Sequence, residues 1–357
     1  MNLRKQIYLC LMLAVALFTG CSEDDPNPGD SIQVGATLTA EMGSSLSKQI
    51  YVDLSEGSLY SVDVNTWELA FENNGSGIRT NTAKKVAVAT PTEIEFDKVE
   101  SDEGLVYKYD SEDGDLATTA FAGWQVNQPY IVDLGVDENG NALGKKKVMI
   151  TASSATEVSI QYADLDGENA KSNVISLDAG DFTFFSLMDD KKVNVEPENW
   201  DIVLSGVTVR TGAPCAALGG GAQPGINCDI YRLTASAITN SYNGVEVAVD
   251  DPFKDLEQND DPEAEKNQKS ISDGNFESLN KAAFNSLGST PAGDAIGRSW
   301  LQILQPHSSG IYKVYDFITY MVKDQDGNYY KVRFLAYKGG NNAENGNPTF
   351  EYKLITE

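Results

Sequence analysis

The chain has 357 residues, 41% of them hydrophobic, enough to bury one or two ordinary cores. Its 53 acidic against 27 basic residues give a formal net charge of −26, which repels phosphate backbones and anionic head groups and argues against nucleic acid as a partner. One histidine, with Cys215 and Cys228 the two cysteines expected to remain in the mature chain, makes a zinc site improbable, and the acidity itself is most simply read as solubility.

At the start, Met1-Asn-Leu-Arg-Lys is basic, Ile7 to Phe18 is an apolar run too short to span a bilayer as a stable helix, and Phe18-Thr-Gly-Cys21 is a small-residue cleavage site ending in cysteine. Residues 1–20 thus resemble a bacterial lipoprotein signal peptide, apart from Phe18 where leucine is usual. The resemblance implies that Cys21 is lipidated and that its acyl groups alone hold the mature chain on the membrane. The other reading is a plain secretory signal with a chance cysteine. Ser22-Glu-Asp-Asp resembles the acidic tag that sends lipoproteins of the Bacteroidetes group to the cell surface, and Pro26-Asn-Pro-Gly-Asp completes a tether over 21–30. Cys10 leaves with the signal. Cys215 and Cys228 remain, and in an oxidising compartment they are expected to close a disulfide over Leu218-Gly-Gly-Gly-Ala.

Residues 31–173 are expected to form a first antiparallel β module. Gln49-Ile-Tyr-Val-Asp-Leu, a Ser-Glu-Gly-Ser turn and Tyr60-Ser-Val-Asp-Val read as strand, turn, strand, followed by Trp67-Glu-Leu-Ala-Phe and Gly77-Ile-Arg-Thr-Asn. Glu100 to Asp115 is acidic and irregular, most simply a surface loop. Tyr130-Ile-Val-Asp-Leu and Lys146-Lys-Val-Met-Ile-Thr flank Asp137-Glu-Asn-Gly140, where Asn-Gly between alternating segments signals a hairpin, and Glu157-Val-Ser-Ile-Gln-Tyr closes the module.

Residues 174–357 repeat this order. Phe182 to Val195 alternates through a Met188-Asp-Asp-Lys-Lys turn, Trp200-Asp-Ile-Val-Leu answers Trp67, and Arg210-Thr211 answers Arg79-Thr80. Ser299-Trp300 answers Gly123-Trp124. Thr319-Tyr-Met-Val-Lys, Asp324-Gln-Asp-Gly327, Tyr330-Lys-Val-Arg-Phe-Leu and Thr349-Phe-Glu-Tyr-Lys-Leu answer the closing strands. The chain therefore reads as all-β, one supersecondary unit used twice in tandem. An insertion over 250–297 interrupts the second copy. Its stretch from Asp255 to Lys269 is polar and charged, whereas Phe276, Leu279, Ala283, Phe284 and Leu287 at helical spacing after Asp273, a candidate cap, predict one short helix packed on a sheet edge or over a pocket, the edge being the simpler expectation.

No nucleophile elbow, Walker loop, zinc-protease helix or redox pair occurs, which argues against an enzyme. Asp137-Glu-Asn-Gly and Asp324-Gln-Asp-Gly open like calcium loops, but the twelfth positions are Val148 and Leu335, so hairpin turns are expected. His307 is the one imidazole available to a metal. It lies in Gln305-Pro-His-Ser-Ser-Gly, between Trp300-Leu-Gln-Ile-Leu and Tyr312-Lys-Val, at the end of two predicted strands where a ligand-binding loop belongs.

Phe184-Phe-Ser leading to Trp200-Asp-Ile, Val209-Arg-Thr, Trp300-Leu-Gln-Ile with Tyr312-Lys, Asp326-Gly-Asn, Lys331-Val-Arg-Phe and Thr349-Phe-Glu-Tyr together resemble the HmuY family of haem-binding lipoproteins, with a weaker echo in the first module. The resemblance implies an all-β fold that holds haem between loops at one end of the sheets, clamped by two axial histidines or methionines. The family's histidine position, five residues after Trp300, falls here on Gln305, and His307 stands two residues on in the same loop. Met188 and Met321 are the nearest thioethers for a second ligand, although Met321 alternates with Tyr320 and Val322 as a core residue does. Arg298 and Lys313 are the cations expected to meet the propionates. The implied role is a lipid-anchored, surface-exposed outer-membrane protein that binds haem or a related porphyrin for iron acquisition and passes it to a TonB-dependent receptor. The alternative is a peptide-, glycan- or adhesion-partner module of the same fold without the axial pair.

Overall fold

In chain order the strands are β1 (Gly35–Thr39), β2 (Lys48–Asp53), β3 (Ser58–Asp63), β4 (Leu69–Glu72), β5 (Ile78–Thr80), β6 (Ala87–Ala89), β7 (Pro129–Asp133), β8 (Lys145–Ser153), β9 (Glu157–Asp164) and β10 (Lys171–Ser176). They continue with β11 (Phe182–Ser186), β12 (Lys191–Val193), β13 (Ile202–Pro214), β14 (Asn227–Thr239) and β15 (Glu246–Asp250). After helix α1 (Lys281–Leu287) come β16 (Leu301–Leu304), β17 (Ile311–Val314), β18 (Thr319–Lys323), β19 (Tyr329–Gly339) and β20 (Glu344–Leu354). The structure, a computed structural model, describes residues 34–214, 227–256, 265–304, 311–340 and 343–356, with the backbone alone at 211–214 and 227–230. Gln305, His307 and Cys215 lie outside the described residues, as do Cys21 and the side chain of Cys228.

The strands form two five-stranded outer sheets, ordered β10-β9-β8-β7-β6 and β1-β20-β19-β18-β15, and two four-stranded inner sheets, ordered β12-β11-β4-β5 and β14-β13-β2-β3. Residue alternation stacks them in four layers. In β4, Leu69 and Phe71 face the core under the first outer sheet, with Val88, Val148 and Ile160, while Ala70 faces the other way. In β2 and β13, Ile50, Val52, Ile202 and Leu204 face the second outer sheet, with Val247, Val322 and Phe334, while Tyr51 and Val203 face back. The inward-turned set, Tyr51, Trp67, Ala70, Phe184, Trp200 and Val203, meets as a third core between the inner sheets. Both faces of the central strands β2, β4, β11 and β13 are thus buried, and this is why Leu69-Ala-Phe and Phe184-Phe do not alternate with polar residues.

Sequence repeat and structural half are out of phase. The leading strands of each repeat join sheets of the other: β1 lies on β20 and β2 on β13, with β3 following β2, while β11 lies on β4, with β12 following β11; Phe184 stands opposite Ala70 and Tyr51 opposite Val203. One half is therefore continuous in sequence, β4 to β12, and β10 crosses residue 173 as it pairs with β9. The other half is β13 to β20 completed by β1 to β3.

Both Asn-Gly-type turns close hairpins. Asp137 accepts the amides of Asn139 (2.9 Å) and Asn141 (2.8 Å), and Asp324 those of Asp326 (2.9 Å) and Asn328 (2.7 Å). The insertion yields one short α-helix, but Asp273 does not cap it. Asp273 accepts the Ser270 amide in an earlier turn, and Asn280 caps α1 through the Ala283 amide at 3.1 Å. Phe284 packs on Ala248 of the edge strand β15 and on Met321 of β18, so the helix covers a sheet edge and the outer face beside it. Among the described residues no helix is long and apolar enough to cross a membrane.

Candidate functional site

Three hairpins of the second half, β13–β14, β16–β17 and β19–β20, bound a cleft of about 280 Å³ together with the turn at Ser44 to Leu46. Leu233, Ile303, Tyr312 and Tyr337 supply its apolar wall, and Thr234 and Asn345 its polar groups. Register explains the choice of side chains. Ile303 is paired with Tyr312 and Leu301 with Val314, so these four share one face of the two-stranded ribbon, whereas Gln302 and Lys313 share the other. A bulge between Phe334 and Ala336 shifts the alternation of β19, so that Phe334 and Tyr337, three residues apart, both face inward. The result is a chain of rings leading from the core to the cleft. Phe334 stacks on Trp300 at 4.2 Å, Trp300 meets Tyr337 at 5.9 Å, and Tyr337 meets Tyr312 at 4.6 Å. Burial and the neighbouring Tyr312 raise the Tyr337 phenol above its ordinary range, so it stands here as a neutral hydroxyl.

The hairpin β16–β17 that supplies Ile303 and Tyr312 is joined through residues 305–310, where Gln305 and His307 fall. The remaining expected site residues are not gathered at the cleft. Met321 is wholly buried beside Ala248 and the helix residue Phe284, where its thioether packs in the core away from the cleft. Met188 belongs to the turn after β11 in the other half, with its sulfur 3.5 Å from Lys84 Nζ. Arg298 donates from Nε to Glu112 at 2.9 Å, and Lys313 donates to the Lys269 carbonyl at 2.9 Å from the face of the ribbon opposite the cleft. Neither cation is on hand for a carboxylate in the cleft.

Residues in the acidic stretch Glu100 to Asp115, expected as a plain loop, have structural work. Asp110 is buried and accepts the amides of Thr80 (2.8 Å) and Ala120 (2.7 Å). Glu112 accepts from Ser236 at 2.7 Å as well as from Arg298, and so ties one half to the other. The local sequence carries no signal for this, because every partner lies in another segment.

The HmuY protein family profile matches residues 45–181 and again 178–352, together most of the chain. No curated protein matches. Among solved structures, the chain is similar to apo PinO from Porphyromonas gingivitis, at 10% identity and a TM-score of 0.31 over 91% of this chain and 98% of that one. It is also similar to an apo HmuY analogue from Tannerella forsythia, at 10% identity and a TM-score of 0.24 over 92% and 100% of the two chains. The double profile match, on an all-β chain whose halves repeat the same strand order, carries the assignment: this chain belongs to the HmuY protein family and contains the family's unit twice.

Proposed function

We propose that the chain binds haem or a related porphyrin in the cleft of its second half, with His307 as an iron ligand. The observation that carries the reading is the run of rings Phe334, Trp300, Tyr337 and Tyr312, which opens an apolar wall on the same hairpin whose connection holds the chain's one histidine. Flat apolar walls with a few polar groups suit a macrocycle, and imidazole supplies the bond to iron. Bound there, the porphyrin would lie against Tyr312 and Tyr337, which exclude water from its face. HmuY membership supports the same assignment. We further propose that Cys21 is lipidated, that the acidic tether carries the protein to the outer surface of the outer membrane, and that a TonB-dependent receptor takes the haem on.

The second reading, a module for a peptide, glycan or adhesion partner, is favoured by one observation: Arg298 and Lys313 are both engaged elsewhere, so the described cleft offers no cation to the propionates. A haemin titration of the soluble chain from Ser22, followed in the visible spectrum and repeated with His307→Ala, separates the two. A sharp Soret band with low-spin features that disappears in the variant supports haem ligation. A spectrum the same as free haemin rejects it and moves the search to peptides and glycans.

A further inference from the structure

A second cavity, of about 150 Å³, lies between the two inner sheets, and the haem reading makes no use of it. It is smaller than the roughly 300 Å³ at which drug-sized sites begin. Its walls combine rings from both inner sheets and the segments beside them with polar and charged side chains. The Arg79 guanidinium already lies over Phe182 (5.7 Å) and Tyr242 (5.4 Å), so the rings open to a ligand are Tyr51, Trp67, Phe184 and Trp200. Tyr51 and Trp200 meet edge to face at 5.1 Å, Trp67 and Phe184 at 4.9 Å, and Phe182 and Tyr242 at 4.8 Å.

The charged groups around this space are matched, with one exception. Arg79, the cation among the described lining residues, donates to Glu72 at 3.4 Å, to the Tyr242 hydroxyl and to the Gly114 carbonyl. Glu112 is held by Arg298 and Ser236, and Asp110 by two backbone amides. Glu196 has no hydrogen bond and no ion pair among the described residues; burial and the nearby Asp181 push its carboxyl up to about 8. Glu196 also lines the groove outside, beside Asp178, Asp181 and Asn243, and so stands where cavity and groove meet. Inside, Thr239 is 2% exposed and its hydroxyl has no partner among the described residues.

We propose that this cavity is a binding site for a small organic cation, with an ammonium head of choline size lying against the rings and Glu196 as its counter-charge. Ring faces attract a cation most strongly where water is excluded, and a carboxylate without a cation of its own supplies what a neutral apolar ligand would not need. The Thr239 hydroxyl offers a partner to a polar group on the ligand's tail. A cation must meet Glu196 ionised, so binding releases a proton and tightens as pH rises through about 8. The other titratable groups facing the passage are Tyr51, Arg79, Asp110, Glu112 and Tyr242 within and Asp178, Asp181 and Glu198 in the groove, so only a Glu196 variant assigns the pH step.

The test is calorimetric titration of the whole chain from Ser22 with choline chloride and with its neutral isostere 3,3-dimethylbutan-1-ol, at constant ionic strength and at pH 6 and 9, for the native chain and Glu196→Gln. The expected result is one saturable choline site, tighter at pH 9. The isostere should bind at least tenfold more weakly, and Glu196→Gln should lose at least tenfold in choline affinity together with the pH step. Circular dichroism and haemin titration of the variant should be unchanged. Equal binding of the isostere, an unaffected Glu196→Gln, or no saturable choline binding in the native chain each overturn the proposal.

Discussion

Lys84→Met isolates the interaction that fastens the exchanged strands. Lys84 and Glu68 form an ion pair whose side chains are both fully buried. Glu68 also accepts the Leu187 amide at 2.7 Å and the Met188 amide and Ser186 hydroxyl at 3.4 Å each, so it ties β4 of the first repeat to the end of β11 of the second. Removing the ammonium strands a carboxylate in a dry site, and breaking such a pair from one side costs about 3–5 kcal/mol. Adding Glu68→Gln removes the stranded charge while its amide oxygen can still accept from Leu187, so the double variant should return to within about 1–2 kcal/mol of the native chain. Urea unfolding of the three proteins, compared by midpoint and slope, measures both quantities. The reasoning fails if Lys84→Met loses less than about 1 kcal/mol or if the double variant is no more stable than the single one.

Asp201, buried near Asp53, Asp324 and Asp326, has its carboxyl pushed up to about 7, mainly by burial. The folded chain therefore keeps a proton that the unfolded chain releases near pH 4, and this group makes stability fall as pH rises from about 4 to about 7. Asp201→Asn can still accept the Leu54 amide and loses the charge, so it should gain on the order of 1–3 kcal/mol at pH 8 and progressively less towards pH 4. Urea unfolding at the two pH values checks this, and equal gains would contradict it. Tyr312→Ala opens one wall of the haem cleft and should weaken haemin binding about tenfold at unchanged circular dichroism; full retention would remove Tyr312 from the site. Because the leading strands of each repeat serve the other, a fragment of residues 31–173 lacks β11 and β12. It should show less fixed tertiary structure by near-ultraviolet circular dichroism than a fragment of residues 64–200, which carries β4 to β12; the reverse order would refute the exchange.

The all-β class and the duplication were legible because they are written in local pattern. Apolar runs opened by Trp67 and Trp200, and Asp-led turns at Asp137 and Asp324, each need only their neighbours in sequence. Met321 was also readable as core from its alternation with Tyr320 and Val322. Which repeat a strand joins was not legible, because pairing β2 with β13 or β11 with β4 exposes the same faces as pairing within a repeat would. The placement of Tyr337 depends on a bulge with no residue signature, and the engagement of Arg298 by Glu112 spans 186 residues. Asp273 misled because it does cap a turn, only one that precedes the helix.

The seam between the halves shows where two copies of one unit have stopped being equivalent. The pairings β11–β4 and β13–β2 place Phe184 and Tyr51 in matching positions, and likewise Ala70 and Val203, Trp67 and Trp200. The match is physical as well, since each indole meets its ring edge to face at about 5 Å. One position further out the copies diverge. Gln49 accepts from the Trp67 indole at 3.1 Å and donates to Ser205, while its counterpart is Phe182, which carries no acceptor and packs on Tyr242. The approach to each tryptophan diverges too: the first copy takes a tight turn through Val64-Asn-Thr, and the second a longer path that brings Glu196 to the cavity mouth. A ring in place of an amide on one side, and a carboxylate with no ion pair among the described residues, border a space lined by rings and polar groups whose entrance is acidic. Its chemistry thus comes from the differences between the repeats, whereas its shape comes from what they share.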